Sequence, residues 1–130
     1  MEGTERFCIN KSGFWKVLIV DDDDFIHKML KEINKNLTFE DKCIEFYSAY
    51  TFQGAVNILK SNKDIALVLL DVFLEEKDSG LGLAKYIRED LKNTDIRIVL
   101  MTGRGSSDFQ DEIILNYDIN GYENKTDLFT

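Results

Sequence analysis

The stretch Val17-Leu18-Ile19-Val20-Asp21-Asp22-Asp23-Asp24-Phe25 reads "VLIVDDDDF" and places four carboxylates directly behind four apolar residues. The apolar run has the composition of a strand buried on both faces. Two unit charges about 4 Å apart repel by roughly 4 kcal/mol at an effective dielectric near 20. A chain that gathers like charge at the end of a buried strand must therefore offset that repulsion. What offsets it points toward function.

Working outward, "KVLIV" (16–20) is the first core strand. Phe25, Ile26, Met29, Leu30, Ile33 and Leu37 then recur at helical spacing, which predicts a helix over 24–37 with Asp23 as its N-cap. "CIEFYSAY" (43–50) predicts a strand nearer the sheet edge, and Phe52, Ala55, Val56 and Leu59 mark a second helix. "IALVLL" (65–70) is a buried strand that runs into Asp71. An acidic loop, "VFLEEKDSG", leads to a helix carrying Leu83, Ala84, Ile87 and Leu91. "IRIVLM" (96–101) ends in Thr102, and Phe109, Ile113 and Ile114 suggest a short helix behind "GRGSS". "INGYEN" (119–124) is a weaker fifth strand followed by Lys125, while residues 1–15 read as an irregular leader.

Strands alternating with helices over short connections predict an α/β fold with an open parallel sheet, in one domain over 16–130. In such sheets ligands bind beyond the carboxyl ends of the strands. Asp21, Asp22, Asp71, Thr102 and Lys125 each follow an apolar strand, so separate strands deliver them to one edge.

Composition narrows the chemistry. The 130 residues are 44% hydrophobic, enough for a proper core. A net charge of -8 and a pI of about 4.6 argue against binding a phosphate backbone. No apolar run approaches the roughly 20 residues of a membrane span, and "MEGTERFCINKSGFWK" holds no apolar signal segment. No nucleic acid, no membrane and a cytoplasmic location are expected. Cys8 and Cys43 are the only cysteines and are expected to be unpaired thiols. His27, the only histidine, is expected to be exposed on its helix.

Three carboxylates in one cleft either take up protons or share a cation. Oxygen ligands without a nearby His or Cys favour Mg²⁺. The cation removes two of the three negative charges of Asp21, Asp22 and Asp71, and Lys125 removes the third. An incoming phosphoryl group would meet compensating charge there, an Asp can be its covalent acceptor, and Thr102 can donate to the new phosphoryl oxygen.

The order "VDD", a lone Asp after the next buried strand, a Thr after the following one, and a Lys after "GY" resembles the receiver domain of two-component response regulators. The resemblance covers about residues 16–126. It implies a flavodoxin-like sheet of order 2-1-3-4-5. Asp71 would be the phospho-acceptor and Asp22 a direct Mg²⁺ ligand. Asp21 would act through water, and the backbone carbonyl of Phe73 would complete the protein ligands. Thr102 and Lys125 would hold the phosphoryl group, Tyr122 would be the switch aromatic, and Phe73 and Arg104 would set the phosphoryl lifetime. The implied partners are a sensor histidine kinase or phosphotransfer protein, and an output domain on a longer chain or a separate effector. "MTGRG" and "YDINGYENKT" also resemble receivers attached to HD-type cyclic-di-GMP phosphodiesterases.

The sequence departs from that pattern in places. Glu75 stands where Pro is usual, Gly80 comes one residue late, and Lys125 is followed by Thr126 rather than Pro. The chain ends at Thr130, before the family's fifth helix, so apolar surface is expected near the fourth and fifth strands, and with it a homodimer. The domain itself is expected not to be an enzyme beyond slow self-dephosphorylation. Two alternatives remain: a phosphorylation-independent protein-binding module, and a haloacid-dehalogenase-type phosphohydrolase, for which no late acidic pair is present.

Overall fold

A computed structural model describes residues 3–6, 13–74, 79–102 and 118–125. Among these residues seven strands form one sheet. They are β1 (Gly3–Arg6), β2 (Phe14–Val20), β3 (Thr38–Phe39), β4 (Lys42–Ala49), β5 (Ile65–Asp71), β6 (Arg97–Thr102) and β7 (Gly121–Asn124). The helices are α1 (Asp24–Asn34), α2 (Phe52–Ser61) and α3 (Ser79–Lys85), the last continuing as a π-helical turn over Tyr86–Asp90. The expected helix near Phe109 lies outside the described residues.

The strands are ordered β1-β4-β2-β5-β6-β7. Counting only the five parallel strands, this is the expected 2-1-3-4-5. β1 pairs antiparallel with β4, from Gly3 opposite Ser48 to Arg6 opposite Glu45. The stretch expected to be an irregular leader thus contains a strand, and β4 is one place in from the edge. The short β3 pairs with the start of β4 through Glu40 and Asp41, both at positive φ, as a two-residue hairpin of matching twist requires.

Alternate strand residues feed two cores. Leu18, Val20, Val68, Leu70, Ile98 and Leu100 face α2 and α3 and are fully buried. Val17, Ile19, Phe46 and Met101 meet Ile26 and Leu30 of α1 on the other face. That second face is thinner: Leu67 and Leu69 are only partly buried. A cleft of about 270 Å³ opens there, lined by Trp15, Val17, Phe39, Ile44, Ala66, Leu67 and Arg97. Exposed apolar surface was expected near the fourth and fifth strands. That expectation falls beside residues 103–117, outside the described residues; the cleft opens at the starts of β2, β4 and β5, with Arg97 drawn from β6.

The inward side of α1 also differs from the expected apolar stripe. Ile26, His27, Leu30 and Lys31 face the sheet, while Phe25, Ile33 and Leu37 are exposed. Hydrogen bonding at His27, described below, turns the helix this way. Cys43 is buried and disulfide-bonded, against the expectation of free thiols. Its strand is the one along which β1 runs, and Cys8 lies outside the described residues. No helix among the described residues is long and apolar enough to cross a membrane.

One side chain ties the far edge of the sheet to the π-helical turn. Arg88, 7% exposed, donates from Nε to the Asp118 carbonyl (3.0 Å), from one terminal nitrogen to the Asn93 carbonyl (3.0 Å) and from the other to Asn120 Oδ1 (2.9 Å). Asn120 Oδ1 also accepts from the Ile98 amide of β6. The guanidinium therefore fixes the turn that launches β7. Arg88→Met should cost about 1.5–3 kcal/mol, the scale of hydrogen bonds from a charged donor, and hydrogen exchange should quicken at Gly121–Asn124. Unchanged exchange there would show that β7 is held by other means.

Candidate functional site

β2 ends at Val20, and the chain turns into α1 through Asp21, Asp22 and Asp23. Asp23 caps the helix by accepting from the Phe25 amide (3.0 Å), and Asp24 adds first-turn charge where the helix dipole favours it. These two carboxylates thus have local structural work. Asp21 is fully buried and Asp22 exposed. β5 delivers Asp71, 4% exposed, to the same edge. Ligand atoms of Asp21, Asp22 and Asp71 all lie within 4.8 Å of one another.

Lys125, at the end of β7, reaches into this cluster. Its Nζ lies 2.8 Å from Asp21 Oδ2 and 3.4 Å from Asp71 Oδ1. Burial pulls the ammonium pKa down, but the bond to Asp21 and the charges of Asp21 and Asp71 outweigh it, leaving Lys125 raised. Asp21 Oδ1 accepts from the Asp23 amide (2.8 Å). Asp21 Oδ2 is buried with no aligned hydrogen bond, so the ion pair with Lys125 is its polar contact. Asp71 Oδ1 accepts from the Phe73 amide (3.2 Å). Even so, burial first and the Asp21 charge second push the Asp71 carboxyl above the usual range. The same two causes raise Asp22.

Thr102 ends β6 beside this edge, 2% exposed. Tyr122 of β7 shares a hydrogen bond with Thr102, which offsets part of the upward push that burial gives the phenol. The structure thus brings together Asp21, Asp22, Asp71 and Lys125, and separately Thr102 and Tyr122. Phe73, 41% exposed, follows Asp71 on the loop. Arg104 and the Lys125–Thr126 bond lie outside the described residues.

The donor set fits a hard divalent cation. All candidate ligands are oxygens, two of the three carboxyls are raised by burial first and by the Asp21 charge second, and one buried oxygen has an ammonium beside it.

His27 is the residue the sequence misplaced. It is 1% exposed rather than free. Nε2 lies 2.7 Å from the Asp21 carbonyl and Nδ1 3.0 Å from Ser48 Oγ. Tyr50 stacks on the ring at 4.1 Å, and its hydroxyl donates to Asp24 Oδ1 (2.6 Å). Burial chiefly lowers the His27 pKa, against the pull of the Asp21 carbonyl. Its place one residue after Ile26 and three before Leu30 was the available signal.

Gly80 is a second constraint. A Cβ there would lie 1.9 Å from the Asp71 carbonyl oxygen, and the Gly80 amide donates to the Val72 carbonyl (3.2 Å). The start of α3 is thus packed onto the backbone that carries Asp71. Gly80→Ala should cost about 1–3 kcal/mol by overpacking and shift the Asp71 and Val72 amide resonances; unmoved resonances would show that the loop gives way instead.

Crowding of carboxylates makes a second expectation measurable. A carboxyl raised on folding weakens the native state fully above its folded pKa and not at all below its unfolded pKa, ordinarily 3.8 for Asp. In chelator at pH 7, Asp22→Asn should therefore be the more stable protein, by about 1 kcal/mol at most because the site is open to water. The advantage should vanish as pH falls through the carboxylate range. An Asn variant less stable than wild type at pH 7 would refute the repulsion account.

Residues 17–126 match the response regulator receiver domain model. The 3'3'-cGAMP-specific phosphodiesterase 2 of Vibrio cholerae serotype O1 (strain ATCC 39315 / El Tor Inaba N16961) is 36% identical over 126 residues, covering 97% of this chain and 24% of its own length. The chain therefore spans about a quarter of that relative. A response regulator from Burkholderia pseudomallei, solved with a phosphorylated aspartic acid, calcium ion and citrate, superposes with a TM-score of 0.68 at 20% identity, over 85% of this chain and 59% of that one. The signal receiver domain of an HD domain-containing protein from Pseudomonas fluorescens Pf-5 gives 0.68 at 22% identity, over 86% and 76%. Both structural likenesses bear on fold. Sheet order and the family match over most of the chain agree, and the chain belongs to the receiver domain family of two-component response regulators.

Proposed function

We propose that Asp71 accepts a phosphoryl group from a sensor histidine kinase or phosphotransfer protein, and that this acyl phosphate switches an output domain or separate effector. The observation that carries the reading is the placement of Asp71: buried at the sheet edge, crowded by two further aspartates, and 3.4 Å from an ammonium. An Asp71 oxygen bonds to phosphorus while the donor's P–N bond breaks, and the electron pair leaves on the imidazole nitrogen. Asp22 and Asp71, with the Phe73 carbonyl, would hold Mg²⁺, and Asp21 would act through water. The cation supplies charge neutralisation for the phosphoryl oxygens. Lys125 releases its Asp21 and Asp71 contacts to pair with one such oxygen. Thr102 donates to another, and drawing Thr102 inward disturbs its bond to Tyr122, which is how the edge would report its state.

The relative's name extends the reading to output: a phosphodiesterase domain on a longer chain is the proposed recipient of the signal. The domain itself would act in the cytoplasm as a switch rather than an enzyme. A homodimer through apolar surface near the fourth and fifth parallel strands belongs to the same proposal.

Incubation with acetyl phosphate and Mg²⁺ should add one phosphoryl group, placed at Asp71 by mass spectrometry, and Asp71→Asn should abolish it. Label retained by that variant, or found elsewhere, sinks the reading; unlabelled wild type would favour a phosphorylation-independent binding module.

Lifetime follows from the flanking side chains. Phe73 can block water but cannot orient it, and a guanidinium at position 104 stays protonated and makes a poor base. Slow self-dephosphorylation is expected. Phe73→Asn with Arg104→Glu should decay faster, about tenfold per 1.4 kcal/mol of recovered water orientation. An unchanged decay rate would place lifetime control in the loop after Asp71.

A further inference from the structure

The acidic edge has a buried support that none of its own carboxylates provides. The Asp21 carbonyl oxygen can only accept a hydrogen bond, so His27 Nε2, 2.7 Å away, must carry the proton. Ser48 Oγ, 3.0 Å from Nδ1, engages the other ring nitrogen. Ser48 sits on β4 opposite Ile19 of β2, so the imidazole joins a neighbouring strand to the loop that holds the aspartates. Tyr50 stacks on the ring, which leaves it little room to turn. The Asp21 amide donates to the Ala49 carbonyl (3.2 Å), so the residue is held from both sides of its backbone.

The consequence runs through peptide geometry. The Asp21 carbonyl and the Asp22 nitrogen belong to one planar unit. Fixing the carbonyl direction fixes the plane from which Asp22 projects. Asp22 is exposed, and its carboxylate is held by no other side chain described above. Its direction is then set mainly by its backbone.

We propose that His27 is the positioning residue of the cation site: its bond to the Asp21 carbonyl, held in register by Ser48, orients the Asp21–Asp22 peptide and so sets the affinity for Mg²⁺. This rests on the reading of Asp21, Asp22 and Asp71 as a Mg²⁺ site. Residues that orient ligands from behind typically govern affinity by 10–100-fold.

The test is titration of the full chain with MgCl₂ by calorimetry, with stability measured separately in chelator. His27→Leu removes both ring bonds and should weaken Mg²⁺ binding by about tenfold or more. His27→Gln keeps one amide donor and one acceptor and should recover most of that loss. Ser48→Ala frees only Nδ1 and should weaken binding about threefold, the low end for one neutral hydrogen bond. If His27→Leu fails to fold, Ser48→Ala and His27→Gln carry the comparison. Variants that lose stability in chelator yet bind Mg²⁺ like wild type would overturn the proposal and leave His27 a packing residue. Wild type that does not bind Mg²⁺ would overturn the underlying site reading, and the proposal with it. Tight wild-type binding with unaffected variants would overturn the proposal alone.

Discussion

Three carboxylates converge within 4.8 Å and one ammonium stands among them. The balance is negative because β2 and β5 are adjacent, β5 ends in Asp71, and Asp21 and Asp22 follow directly on the last residue of β2. Lys125 arrives from β7, two strands beyond β5, and satisfies Asp21 more closely than Asp71. One cation cannot neutralise three anions, and burial first, with the charge of Asp21 second, holds the Asp22 and Asp71 carboxyls above the usual range. The edge is therefore poised to gain from any further positive charge. That physical bias comes before any assignment of function.

The rest of the fold holds this unfavourable cluster in place. Fully buried Leu18, Val20, Val68, Leu70, Ile98 and Leu100 form a rigid platform beneath it. Gly80 lets α3 seat directly on the Asp71 backbone, and Arg88 fixes the turn before β7, so the strand bearing Lys125 leaves in a defined direction. The amide donors of Asp23 and Phe73 reach the Asp21 and Asp71 carboxylates from the chain itself. Such local bonds act without a partner and limit how far the carboxylates can retreat from each other.

Much of this was legible because strand ends are legible. Apolar runs followed by Asp, Asp, Thr and Lys mark where buried backbone meets the edge, and strand adjacency then brings the side chains together. What escaped the sequence depends on contacts between distant segments. β1 is four polar or small residues, "GTER", with no strand signal of its own; it forms against β4. His27 lies between apolar residues on a helix, and only the Asp21 carbonyl and Ser48, 21 residues away, make its burial favourable. The inward side of α1 followed that histidine rather than the widest apolar stripe, which left Phe25, Ile33 and Leu37 in solvent. The Arg88 clasp spans 30 and 32 residues to its partners and has no local signature.

Most of the buried polar groups gather at one edge. Among the described residues Asp21, His27, Ser48, Asp71 and Thr102 lie near the carboxyl ends of β2, β4, β5 and β6, while Glu45 within β4 and Lys31 on α1 are buried away from it. Each buried polar group costs free energy unless it is bonded, and a half-satisfied network costs more than an apolar core. The imidazole is matched at both nitrogens, whereas Asp21 Oδ2 has an ion pair without an aligned hydrogen bond. The imidazole is thus bonded on both sides by neutral groups, whereas the Asp21 carboxylate relies on one ammonium that it shares with Asp71. Local neutral bonds hold the loop, and a single positive charge serves the anions of the edge, so the edge gains from any further cation while its support stays unchanged.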